Sequence, residues 1–142
     1  MFAWKSYKGN LLWLPERTIY MTPVGSRAYG TNGPDSDWDY KRVCIAPRAW
    51  MLSFNPGERY FEQADKGWAD GLDCSVYELR NFMELAVQNN PNIIELLFTE
   101  QTDWVECRWP WLTLWANRDL FLSRNLKNRF SGYAVSQLKR IH

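Results

Sequence analysis

The chain has 142 residues, 46% of them hydrophobic and nine of them tryptophan, enough apolar material for one folded domain and too much for a disordered one. Its formal net charge is only +1, which excludes a chain that binds nucleic acid by bulk electrostatics. No apolar run approaches the roughly 18 residues needed to cross a bilayer. The first predicted element is a strand, Arg17-Thr18-Ile19-Tyr20-Met21-Thr22-Pro23-Val24, which delivers Gly25 and Ser26 at its carboxyl end. Gly30, Gly33 and Pro34 make the next connection a turn. A second strand then runs from Asp39 through Tyr40, Lys41, Arg42, Val43, Cys44 and Ile45 to Ala46 and stops at Pro47. The stretch from Asn55 to Gly71, rich in Gly and charge, reads as a loop that either folds over a ligand or simply connects elements on the surface.

Beyond it, Leu79, Phe82, Met83, Ala86 and Val87 recur at helical spacing and are expected to face the core. Asn89-Asn90-Pro91 ends that helix, and Asn92 is placed to cap a shorter one burying Ile93, Ile94, Leu96 and Leu97. Trp109-Pro110-Trp111-Leu112 opens a third helix with Pro110 in its first turn. A last helix, about Leu126 to Ile141, carries Leu126, Phe130, Tyr133, Ala134 and Leu138 on one stripe, with Tyr133 and Gln137 sharing a face. The tryptophans do not cluster with basic residues as a binding platform would, so most are expected in the core. The carboxyl-terminal quarter is basic: Arg118, Arg124, Lys127, Arg129, Lys139 and Arg140 stand against the acid Asp119. That suits a phosphate-bearing partner as well as it suits a solvated helical face. Cys44, Cys74 and Cys107 are widely spaced and odd in number, and Met1 to Lys8 has no signal-peptide apolar core. Both point to reduced thiols in a cytoplasmic protein.

The chemistry is concentrated between Gly25 and Asp39. Asp37 and Asp39 are two apart, so on a strand both carboxylates leave the same face, with α-carbons about 6.5 to 7 Å apart. Two such carboxylates can bracket a pair of metal ions, and oxygen-only donors select Mg²⁺, or Mn²⁺, over zinc. Gly25 permits a backbone geometry other residues resist, and Ser26 adds a hydroxyl beside the turn's amide donors. Either half alone is a common loop sequence. Their ordered combination, strand, Gly-Ser turn, short loop, Asp-x-Asp, strand, is what metal-assisted phosphoryl chemistry requires.

The segments Gly25-Ser26-Arg27-Ala28-Tyr29-Gly30, Ser36-Asp37-Trp38-Asp39, Tyr77-Glu78-Leu79-Arg80-Asn81-Phe82, Asn90 to Phe98, and Tyr133 to Lys139 together resemble the DNA polymerase beta superfamily of nucleotidyltransferases. More narrowly, they resemble the predicted nucleotidyltransferases named for an RNA-repair pathway. Two features depart from that pattern. The family usually continues with further helices, and the aspartate pair is followed here by Tyr40 and Lys41, where an apolar residue is more usual.

The resemblance implies an α+β nucleotidyltransferase fold, a short mixed β-sheet flanked by helices, with residues 1–107 as catalytic core and 108–142 as a truncated helical extension. Asp37, Asp39 and a third carboxylate would be catalytic and hold the metal. That third acid is expected on the strand before Tyr77, where Asp73 is preferred over Asp70 and Glu78. Gly25, Ser26, Arg27, Gln137 and Lys139 would bind the nucleotide, taken to be ATP. The implied reaction is Mg²⁺-dependent transfer of a nucleoside monophosphate from an NTP to an acceptor hydroxyl, with an RNA 3′ end as the favoured acceptor. A protein hydroxyl, or a catalytically inactive nucleotide-binding or assembly module, are the alternatives.

Overall fold

The β-branched and aromatic run from Thr18 to Val24 forms strand β1 (Thr18–Val24), buried along most of its length. The computed structural model describes residues 11–25, 30–31, 33, 39–52, 60–61 and 73–132. Within them, helix α1 (Leu14–Arg17) precedes β1, and β2 (Asp39–Cys44), α2 (Arg48–Met51), β3 (Tyr60–Phe61) and β4 (Asp73–Glu78) follow. Next come α3 (Leu79–Val87), α4 (Pro91–Leu97), a 3-10 turn (Gln101–Asp103), β5 (Glu106–Cys107), α5 (Trp109–Ala116) and a second 3-10 turn (Arg118–Phe121). Residues 126–132 are helical (α6). Among the described residues, no helix is long and apolar enough to cross a membrane.

The strands form one mixed sheet in the order β3-β4-β2-β1-β5. β1 is antiparallel to both β2 and β5, β2 is parallel to β4, and β3 is antiparallel to β4. This is the expected α+β architecture. One sheet face carries the main core. Tyr20, Val43 and Tyr77 meet Phe82, Ala86, Ile93, Ile94, Leu96, Leu97 and Trp111 there. Tyr20 stacks on Trp111 with ring centroids 3.7 Å apart, and Phe82 meets the same indole edge-on at 5.4 Å. The opposite face buries Leu14, Met21, Tyr40, Cys44, Cys74 and Val76.

Several expectations are corrected. The first strand begins at Thr18 rather than Arg17, and the second ends at Cys44 rather than Ala46. The Asn55–Gly71 stretch contains β3, a two-residue strand too short to leave a periodic signal; its other residues lie outside the described ones. Val87 is 68% exposed, because one position beyond Ala86 the helix has turned it about 100° off the buried stripe. The cap of α4 is Asn90, not Asn92: the Asn90 side chain accepts from the Asn92 amide at 3.1 Å, and Pro91 fills the first turn. Asn89 takes the left-handed conformation that stops α3, at φ 56°. It is buried there, donating to the carbonyls of Ala86 and Phe121 and bonding to the Ser123 hydroxyl.

Candidate functional site

The sheet's pairing pattern brings the sequence motifs to one end. Val24, the last residue of β1, is the register partner of Asp39, the first residue of β2. Asp39 is in turn the partner of Asp73, the first residue of β4. The carboxyl end of β1 and the amino ends of two parallel strands therefore share one edge. Register partners on neighbouring strands lie about 5 Å apart, so the backbone sets Asp73 beside Asp39.

Gly25 closes the arrangement. Its φ of +71° is a left-handed conformation, and a Cβ placed on it would come within 3.2 Å of Asp39 Oδ2. The turn needs glycine for two reasons at once: the backbone angle and the carboxylate pressed against it. Gly30 is also left-handed, at +67°, but an added Cβ there meets nothing within 4 Å among the described residues. Asp39 is half-buried, open enough to meet a ligand.

Glu78 is separated from this cluster by the length of β4. It pairs with Cys44 at the far end of β2, about 16 Å from the Asp73 position at 3.3 Å per strand residue. Its buried carboxylate instead caps the amino terminus of α3, accepting from the Arg80 amide at 2.8 Å. Ser26, Arg27, Asp37, Asp70, Gln137 and Lys139 lie outside the described residues, as do Tyr133, Ala134 and Leu138 of the last predicted helix. Arg118, one member of the basic quarter, is held by aromatic faces. Its guanidinium lies 4.3 Å from the Trp115 ring centroid and 5.4 Å from that of Phe98, and it donates to the Trp115 carbonyl. Arg124, Lys127 and Arg129 are exposed.

A hydroxyl network fixes β1 on its other side. The Tyr20 and Thr99 hydroxyls share a hydrogen bond of 2.5 Å, and Trp104 Nε1 donates to the same Thr99 oxygen. Burial pushes the Tyr20 phenol up to about 12, although its hydrogen bonds to the Thr99 and Thr22 hydroxyls pull the other way. Thr22, fully buried, donates toward the Asp103 carbonyl at 3.5 Å. The Tyr20–Thr99 and Thr22–Asp103 contacts do not follow from spacing in the sequence, because they join β1 to segments some eighty positions away.

Among the described residues, no three His, Cys, Asp or Glu side chains gather as a metal cluster. The Asp39 carboxylate and the acid at its register partner are nonetheless oxygen donors of the class that suits a hard divalent cation. Cys44 and Cys74 are buried on the opposite face, and Cys44 is pushed up to about 12 by burial. A thiol so held is a poor metal ligand.

Residues 8–142 match the RNA repair pathway DNA polymerase beta family, and the chain belongs to that family. The mixed sheet with flanking helices is consistent with the nucleotidyltransferase fold of this superfamily. The chain is 28% identical over 130 residues to an uncharacterised 38.9 kDa protein of the nrdC–mobD intergenic region of Enterobacteria phage T4, an overlap covering 87% of the chain and 38% of the relative. It is 30% identical over 84 residues to the uncharacterised protein YcgL of Bacillus subtilis (strain 168), covering 59% of the chain and 31% of that relative. The chain thus spans about a third of the length of these curated relatives. No solved structure matches it. Family membership suggests nucleotidyltransferase activity, and superfamily enzymes typically use divalent metals.

Proposed function

We propose that the chain transfers a nucleoside monophosphate from an NTP, ATP by preference, to an acceptor hydroxyl. The observation that supports this most is the register that sets Gly25, Asp39 and Asp73 side by side at one sheet edge. Asp37, Asp39 and Asp73 would hold Mg²⁺, or Mn²⁺. When bound, the metal neutralises phosphate charge and lowers the pKa of an attacking hydroxyl.

The chain's own residues then bind and align. The Gly25 turn, with the Ser26 hydroxyl and Arg27, holds the β- and γ-phosphates, since a left-handed turn directs backbone amides toward an anion. Gln137 and Lys139 complete the nucleotide site in this reading. The acceptor oxygen attacks the α-phosphorus, the bond to the β-phosphate oxygen breaks, and pyrophosphate leaves. The acceptor's proton passes to a carboxylate oxygen, that of Asp73 or of another of the metal-holding acids.

Residues 1–107 form the catalytic core in this reading, and 108–142 form a helical extension anchored by Trp111 in the main core. The family's RNA-repair description favours an RNA 3′ end as acceptor. The three free cysteines fit a reducing, cytoplasmic setting. The test is incubation with Mg²⁺ and ATP labelled at the α-phosphate, with either RNA or a protein mixture, followed by mass spectrometry. Label on RNA 3′ ends supports the reading. Label on protein redirects it to protein modification, and no label on either speaks against transfer by this chain.

A further inference from the structure

Strand β2 carries Lys41 on the sheet face that runs from the main core to the candidate site. Alternation places Asp39, Lys41 and Val43 on one face of the sheet. Val43 is fully buried in the main core, and its register partners are Tyr20 on β1 and Tyr77 on β4, both buried. One step toward the site, Lys41 has Thr22 and Ser75 as partners. One step further, Asp39 has Val24 and Asp73. Along this face the neighbours change from aromatic, to hydroxyl, to carboxylate.

Lys41 is half-buried. Its ammonium cannot turn toward Val43, Tyr20 and Tyr77, because moving a charge into that apolar core would cost several kcal/mol. A lysine in this position can lay its apolar stem along the sheet and carry its charge toward the polar end of that face. By register, the polar end is the Asp39 end. The stem spans about 6 Å, close to the i to i+2 step along a strand, so the ammonium can draw level with the first residue of β2. The next residue, Arg42, serves another purpose: it is buried on the opposite face, with Nη2 directed to the Met21 sulfur at 3.5 Å. Among the described residues of β1, β2 and β4 on the Asp39 face, Lys41 is the one cation.

We propose that Lys41 is a ligand for the phosphate tail of the nucleotide, a contact that rests on the nucleotidyl-transfer reading above. A site built from carboxylates repels a triphosphate, and a compact ammonium with three donors offsets that repulsion from the floor of the sheet. It does so at the register level where the Gly25 turn approaches Asp39. Lys41 is thus a specificity residue that favours a triphosphate over a monophosphate.

The test is calorimetric titration of the full chain with ATP and with AMP, each with Mg²⁺, for wild type, Lys41→Met, Lys41→Arg and Asp39→Asn, with thermal unfolding to show that each variant is folded. In Lys41→Met, ATP binding should weaken about tenfold or more, the loss of one charge-assisted hydrogen bond, while AMP binding stays within twofold. Lys41→Arg keeps the charge and should retain most of the ATP preference, which keeps the question open to test if the methionine variant does not fold. An ATP affinity unchanged in Lys41→Met overturns the proposal, as does an equal loss for ATP and AMP, which marks a packing role. If wild type binds neither nucleotide, the underlying reading fails with it. If Asp39→Asn weakens ATP binding and Lys41→Met does not, only the lysine contact fails.

Discussion

Gly25 and Gly30 provide a matched pair of perturbations that separates backbone strain from damage to the site. Both are left-handed, at +71° and +67°, so alanine at either position meets the same backbone penalty, roughly 1–2 kcal/mol. For a domain of this size that corresponds to a fall in Tm of roughly 3–8 °C. The two differ in what the new methyl touches. At Gly25 it stands 3.2 Å from Asp39 Oδ2, tight enough that the carboxylate must give way by a few tenths of an ångström; at Gly30 it meets nothing within 4 Å among the described residues. Displacement on that scale matters where a metal–oxygen distance near 2.1 Å has to be met. Thermal unfolding and calorimetric titration with ATP and Mg²⁺ on both variants decide the matter. Similar losses in Tm are expected, with nucleotide affinity reduced at least tenfold in Gly25→Ala and within twofold of wild type in Gly30→Ala. Equal affinities in the two variants would refute the claim that the turn and Asp39 form one site.

Asp73→Asn should reduce transfer at least a hundredfold with little change in Tm, whereas Glu78→Gln should lower stability by about 1 kcal/mol through its cap and keep activity; the reverse pattern would reassign the third carboxylate. Asn89→Ala should cost about 2–4 kcal/mol in urea denaturation, combining left-handed strain with the lost bonds to Ala86 and Phe121. Asn89→Gly should cost about 1 kcal/mol less, and equal costs would mean the backbone angle contributes nothing. Stability should fall as pH rises from about 9 to 12. Unfolded Cys44 and Tyr20 release protons at their ordinary values of 9.0 and 10.0, while burial holds both protonated to about 12. The stabilisation is therefore complete below the lower values and lost as pH climbs toward the upper ones. Tyr20→Phe should flatten this slope by up to about 1.4 kcal/mol per pH unit above pH 10, and an unchanged slope would contradict the burial of the phenol.

What the sequence made legible was the local part of the fold. Proline and asparagine punctuation around Pro47, Asn89 and Pro91 marks real element ends, and the period of Phe82 and Ala86 or of Ile93, Ile94, Leu96 and Leu97 identifies buried faces. The positions that escaped it depend on partners distant in the chain. β3 is defined only by pairing with β4, and Tyr20 is fixed through Trp111, Thr99 and Trp104. The candidate site divides the same way. Asp39 and the Gly25 turn are visible as a motif, but their 3.2 Å approach, the alignment of Asp73 with Asp39 and the exclusion of Glu78 come from strand register, which a single sequence does not encode locally. Lys41 was readable as a departure from the family pattern, but its Thr22 and Ser75 neighbours come from strand register.

On the proposed reading, Asp39 belongs to the machinery of nucleotidyl transfer. The direct measurement is transfer of label from α-phosphate-labelled ATP to RNA 3′ ends, with Mg²⁺, by wild type and Asp39→Asn side by side, after thermal unfolding shows that both are folded. Label transfer by wild type and a loss of at least a hundredfold in the variant are expected, with Tm unchanged or raised as like-charge repulsion is relieved. Transfer by Asp39→Asn at the wild-type rate would contradict it.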